Sequence, residues 1–166
     1  MKKQSKRTMK RRRREGKTDY KARLNLLKSR LPRIVIRRTN RYVIVQYIKS
    51  KEAQDSVIVT VNSKELLKYG WEKEGSLKSV PACYLTGLIL GQKIKKTEKK
   101  ENKAIFDIGL ARNIKKSRSY AVLKGLIDTG IDIKHEETIF PDENRIKGEH
   151  LKNKIDFEKI KQNILK

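Results

Sequence analysis

The side chains with the greatest chemical capacity in this sequence are arginines, and they come in clusters. Arg11, Arg12, Arg13 and Arg14 are consecutive, with Lys17, Thr18, Tyr20 and Arg23 close behind. A second group, Arg33, Arg37, Arg38, Thr39, Asn40 and Arg41, follows a proline. A third, Lys115, Lys116, Ser117 and Arg118, stands far downstream. A guanidinium is planar, permanently charged and able to hold two phosphate oxygens at once, so the chemistry these groups offer is the binding of a polyanion. Residues 1–41 hold 18 Lys or Arg against two acids, a local net of +16 out of +24, while the other 125 residues contribute +8. A field of that density repels itself unless a polyanion lies against it. A tail that only solubilises has no use for an arginine run, so residues 1–17 read as an arm laid along phosphates.

Other chemistries find little support. Asp107 is a carboxylate in a short apolar run, as in a metal-dependent nuclease, but no second and third acid stand at equivalent places. A lone acid beside a glycine is more simply a turn-former. No Gly-rich loop with Lys-Ser/Thr cradles a nucleotide. Ser117 and Ser119 have no histidine within sequence reach. One cysteine, Cys83, permits no internal disulfide, and with only His135 and His150 it gives no zinc set. The chain is therefore read as a non-enzyme with no cofactor and no small-molecule substrate. The basic run has no apolar face beside it and no segment has spanning length, so no membrane partner is expected. The N-terminus lacks a signal peptide's apolar stretch, so secretion is not expected.

The elements that must position these groups follow from patterning. Thr18 or Asp19 can cap a helix running to Leu31, with Leu24, Leu27 and Leu31 as its docking stripe and Pro32 as its stop. Arg33–Arg37 and Tyr42–Ile48 are β-branched runs flanking an Arg38–Arg41 turn, and Ser56–Val61 is a third strand after a polar link at Lys49–Asp55. Alternation places Ile34 and Ile36 toward a core, with Arg33, Val35 and Arg37 on the opposite, solvent-facing side. Ser63 can cap a short helix ending before Gly70. Ser79–Ile94 is a long, mostly apolar helix in which Gly87 and Gly91 permit close approach of a neighbour. Ala104–Ile108 is a strand expected inside the sheet, Ser117 opens a helix that Gly130 ends, and Ile131–Ile133 is a candidate fifth strand. The fold class is α/β: a mixed sheet beginning with a three-stranded antiparallel meander, helices packed on it, a basic N-terminal arm and a helical C-terminal extension. The division is residues 1–17, 18–133 and 134–166. An acidic stretch, Asp128–Glu149, leads into the last part and is suited to protein contact. Tyr20, Tyr42, Tyr47 and Tyr120 are candidates to stack on bases, which suits folded RNA.

Several motifs together resemble one family, the large-subunit ribosomal protein L-eighteen of bacteria and archaea. They are Arg11-Arg-Arg-Arg-Glu-Gly-Lys-Thr-Asp-Tyr20, Arg33–Gln46, Lys64-Glu-Leu-Leu-Lys-Tyr-Gly-Trp71, Pro81-Ala-Cys-Tyr-Leu-Thr-Gly87, Asp107-Ile-Gly-Leu110, Lys116-Ser-Arg-Ser-Tyr-Ala121 and Arg145-Ile-Lys-Gly-Glu-His150. The first of these and the C-terminal segment look like the archaeal and eukaryotic branch, and the length favours the archaeal form. The resemblance implies a ribonuclease-H-like fold without nuclease activity and a cytoplasmic, ribosomal setting. It also implies a role in holding 5S rRNA in the central protuberance, with 5S rRNA, large-subunit rRNA and neighbouring ribosomal proteins as partners. The implied RNA contacts are the arm arginines, the Arg37–Arg41 turn and Lys116–Arg118. Bacterial members tend to carry histidine where Arg37 and Tyr42 stand, so a phosphate-contacting role carries over and base-specific roles do not. The competing class is a non-ribosomal RNA chaperone or assembly-factor subunit using the same basic surface.

Overall fold

A computed structural model describes residues 8–72, 75–98, 102–151 and 155–166. The first seven residues of the expected arm, and the parts of three connecting stretches at 73–74, 99–101 and 152–154, lie outside the described residues. Three β-branched runs form a meander: β1 (Arg33–Arg38), β2 (Val43–Lys51) and β3 (Gln54–Asn62). A fourth strand, β4 (Ile105–Asp107), returns parallel to β1, so the order β3-β2-β1-β4 makes a mixed, four-stranded sheet. The antiparallel register sets Ile34 against Tyr47 and Ile36 against Val45. All four are buried on the face that receives the helices.

Those helices are α3 (Val80–Thr97) and α4 (Arg118–Asp128), after two short ones at the N-terminus, α1 (Arg11–Arg14) and α2 (Tyr20–Lys28). Ser79 caps α3 through the amide of Ala82, with Pro81 in the first turn, where its missing N–H costs nothing. From Val80 to Gly91 every residue of α3 is buried, as its apolar circumference requires. The glycines bring α3 and α4 into backbone contact: a Cβ on Gly87 would overlap the carbonyl of Val122, and one on Gly125 the carbonyl of Tyr84. Cys83 lies inside this core, where burial pushes its thiol up to about 12 against smaller opposing effects of Arg118 and Arg38. Helices α5 (Glu143–Lys147) and α6 (Phe157–Leu165) lie on α3 and send Ile146, Phe157, Ile160 and Ile164 into the same core. Phe157 reaches the ring of Tyr84 at 5.6 Å.

Several expectations need correction. The polar link at Lys49–Asp55 is instead a tight turn at Glu52 and Ala53, both with positive φ (50° and 63°), and the strands run up to it on either side. Two left-handed residues match the twist of a two-residue hairpin, and neither Glu nor Ala announces that conformation. The turn after β3 is a single 3-10 stretch, Ser63–Tyr69, capped by Asn62 with Glu65 in a capping box. Ser63 accepts from the amide of Val43 instead. β4 is an edge strand, not an interior one, and the candidate fifth strand reduces to one bridge between Lys103 and Asp132. Helix α2 stops at Lys28 and buries no residue fully: Leu24 and Leu31 are 55% and 40% exposed and Leu27 is half-buried, so the expected docking stripe docks only in part. Asp19, not Thr18, is its cap, accepting from Lys21 and Ala22. No described helix is long and apolar enough to cross a membrane.

Candidate nucleic-acid interface

The helices cover one face of the sheet. The other face carries Arg33 opposite Ile48, Val35 opposite Gln46 and Arg37 opposite Ile44. On this side the chain builds a cleft of about 820 Å³. Its floor is the β1 face. One wall is the stretch from Lys17 through Leu26, and the other is the Ile108–Ala111 turn with Arg118 beside it. Arg12, Arg37, Arg38 and Arg118 line it from the arm, from the end of β1 and from the start of α4. Segments far apart in sequence thus supply one basic opening.

Each wall has a local cause. The α1 arginines form one exposed helical turn closed by backbone bonds from Arg13 and Arg14 to Lys10, and Gly16 (φ 63°) breaks it. That turn sends Arg12 Nε back to Thr18 Oγ1 at 2.9 Å, which draws the arm toward the cleft. Arg11, Arg13 and Arg14 are exposed outside the lining, and Tyr20 is half-buried with Lys10 Nζ over its ring at 4.6 Å. Arg23 leans down from α2 to Asp55 Oδ2 at 2.9 Å and to the carbonyl of Ala53.

At the β1–β2 turn, Thr39 clips the chain while staying exposed. Its hydroxyl donates to the carbonyl of Tyr42 and accepts from that residue's amide, both at 2.9 Å. Arg37, Arg38, Asn40 and Arg41 all stay exposed around it. At α4, Ser117 is the N-cap residue without a side-chain cap bond. Lys115 and Arg118 are exposed, while Lys116, in a left-handed conformation (φ 57°), is paired with Asp142 at 2.8 Å. That pair holds the Asp142 carboxyl below its ordinary range, first through the hydrogen bond and then through charge.

Arg33 departs from the sequence reading. Alternation put it on the solvent face, and it is on that face, yet its side chain is 3% exposed. Nη1 donates to Asp107 Oδ2 at 3.0 Å, and Nη2 to Asp55 Oδ1 at 2.7 Å and Ser50 Oγ at 3.2 Å. A guanidinium this deeply buried, with Nη1 and Nη2 held by two carboxylates, is not presented to a phosphate. Asp107 also behaves as a turn-former, accepting from the amide of Gly109 at 2.8 Å. Of the stacking candidates, Tyr47 and Tyr120 are core residues, the latter bonded to Asn113, and Tyr42 lies under Lys64 Nζ at 4.4 Å. Sequence reasoning missed Asp55 and the Ile108–Ala111 wall. Asp55 sits in what reads as a polar link, and its partners are 22 and 32 residues away.

A family model described as ribosomal large subunit proteins 60S L5 and 50S L18 matches residues 4–102 and 92–136. The chain belongs to this family of large-subunit ribosomal proteins. It is similar to the large ribosomal subunit protein uL18 of Korarchaeum cryptofilum, with 57% identity over 141 residues, 85% of this chain and 70% of that one. The protein of the same name from Methanoregula boonei is 47% identical over 85% of this chain and 79% of its own. That from Methanothrix thermoacetophila is 43% identical over 92% and 88%. As a member of this family the chain is a structural, non-enzymatic component of the large subunit, and its place is the cytoplasmic ribosome.

Proposed function

We propose that this chain binds 5S rRNA and helps anchor it in the central protuberance of the large subunit. One observation carries this reading: Arg12, Arg37, Arg38 and Arg118, from three separate stretches, meet around one cleft on the uncovered side of the sheet. The Thr39-clipped turn presents Arg37, Arg38 and Arg41 with their backbone already fixed, so little ordering entropy is lost on binding. The first turn of α4, eleven residues long and without a side-chain cap, offers its positive end to a phosphate. The arm adds charge and releases counterions. In this reading the α/β layer is a ribonuclease-H-like scaffold, residues 1–17 are the RNA arm, and residues 134–166 meet neighbouring ribosomal proteins.

The test is a filter-binding competition between transcribed 5S rRNA and an unrelated structured RNA of equal length, followed by sedimentation with large subunits in high salt. Preferential binding of 5S rRNA and retention on the subunit are expected. Equal binding of both RNAs, or release from the subunit into the supernatant, counts against the proposal.

A further inference from the structure

Arg33 is the centre of a chain of contacts that runs beneath the cleft from one wall to the other. Toward the α2 side, Arg33 Nη2 holds Asp55 Oδ1 at 2.7 Å, and the other oxygen of Asp55 holds Arg23 at 2.9 Å. Arg23 also bonds the carbonyl of Ala53 in the β2–β3 turn, so helix α2 is tied to the sheet at this point. This tie matters because α2 has no buried residue to fasten it otherwise. Toward the opposite wall, Arg33 Nη1 holds Asp107 Oδ2 at 3.0 Å, and Asp107 Oδ1 receives the amide of Gly109 at 2.8 Å. Gly109 has φ 62°, which a glycine adopts without strain, and Leu110 and Ala111 follow it along the cleft. Asp107 is fixed from both of its oxygens, and so is Asp55. Among the described residues, only Arg33 is common to both.

We propose that Arg33, with Asp55 and Asp107, is a positioning device that sets the separation of the two cleft walls and so the fit of the RNA, without itself touching the RNA. This rests on the reading of the cleft as the 5S rRNA site. Two carboxylates beside a polyanion are an electrostatic liability, and their retention under a basic opening is explained by what they hold. The planar fork of arginine reaches each acid from a separate nitrogen in a fixed geometry, which the single ammonium of lysine does not reproduce.

The sign of the effect tests the idea. Removing a carboxylate near RNA tightens binding if charge alone matters. A positioning role demands the reverse. Binding of 5S rRNA by the full chain is measured for the unaltered protein, Asp107→Asn and Arg33→Lys, over a range of salt. We expect both variants to lose affinity by on the order of tenfold, the scale seen when the support behind a binding group is removed. The slope of affinity against salt should stay unchanged, because no phosphate contact is lost. A variant that is merely less folded loses apparent affinity only in proportion to its folded fraction, which a urea melt without RNA measures, so a tenfold loss in a variant still mostly folded is positional. Tighter or equal binding by Asp107→Asn overturns the inference, as does full affinity in Arg33→Lys, which a direct phosphate contact would retain. Failure of the unaltered protein to bind 5S rRNA removes the underlying reading and this inference with it. Binding by the unaltered protein that Asp107→Asn leaves untouched removes only the inference.

Discussion

Asp55 lies between two guanidiniums: its Oδ1 accepts from Arg33 at 2.7 Å and its Oδ2 from Arg23 at 2.9 Å. Burial pushes the carboxyl up, but the hydrogen bonds from Arg23, Ser50 and Arg33, with the charge of Arg33, outweigh it and bring the group from 3.8 down to about 2. A carboxyl depressed in the folded state stabilises the fold above its ordinary titration range, and that contribution disappears as the pH drops through the depressed value. The stabilisation is therefore complete above about pH 4 and lost toward about pH 2. Urea midpoints of the protein and of Asp55→Asn should differ clearly near about pH 5 and converge in acid. A gap of constant size across that window contradicts the assignment.

The clipped turn and the arm should divide recognition from attraction. Replacing Arg37, Arg38 and Arg41 together by alanine should erase the preference for 5S rRNA over other RNA. Deleting residues 1–14 should weaken binding to every RNA and flatten the salt dependence. With about eight phosphates neutralised, the intact chain should lose roughly a thousandfold or more in affinity between about 50 and 200 mM salt. Loss of preference on deleting the arm, with the triple variant still selective, reverses the assignment.

Asp19→Ala should release α2. The helix is nine residues long with no buried side chain, so its cap and the Arg23 contact are its main restraints. Loss of a cap costs about 1 kcal/mol. Amide exchange in Ala22–Lys28 should accelerate several-fold while the amides of α3 stay as they were. Unchanged exchange in α2 would show that something else fastens it.

Gly87→Ala should destabilise the core. The added methyl collides with the carbonyl of Val122, which belongs to the facing helix and cannot swing aside as a flexible side chain would. A cost of about 1–3 kcal/mol or more is expected, read from the denaturant midpoint. The same change at Gly16, where a Cβ has open space but φ is 63°, should register far less in the core.

Local patterning made much of this legible. Ile34 and Ile36 on one side of β1, Pro81 in the first turn of α3, and Gly87 and Gly91 as points of close approach all follow from period, cap and size. The basic cluster identified its ligand class because charge density needs no tertiary structure to be counted. Long-range pairing was the obstacle. Arg33 reads as a solvent-facing arginine because the strand's period assigns a face and says nothing of what covers it. Asp107 and Asp55, the groups that claim Arg33, are 74 and 22 residues away from it. Leu24 and Leu31 look like a docking stripe because spacing marks an apolar edge without supplying a surface to receive it.

β3 is the outer strand of the sheet, and across Gln54–Asn62 it carries no lysine, arginine or proline, while Val57 and Ile58 are 48% and 37% exposed. Natural edges are commonly guarded by such residues, because an open row of backbone groups recruits strands from other chains. In a solitary molecule the safeguard against self-assembly is mutual repulsion between copies at +24 each. Concentrated salt strips that safeguard away. An unbound molecule in concentrated salt is thus the state in which the β3 edge is open to pairing with a strand of another chain.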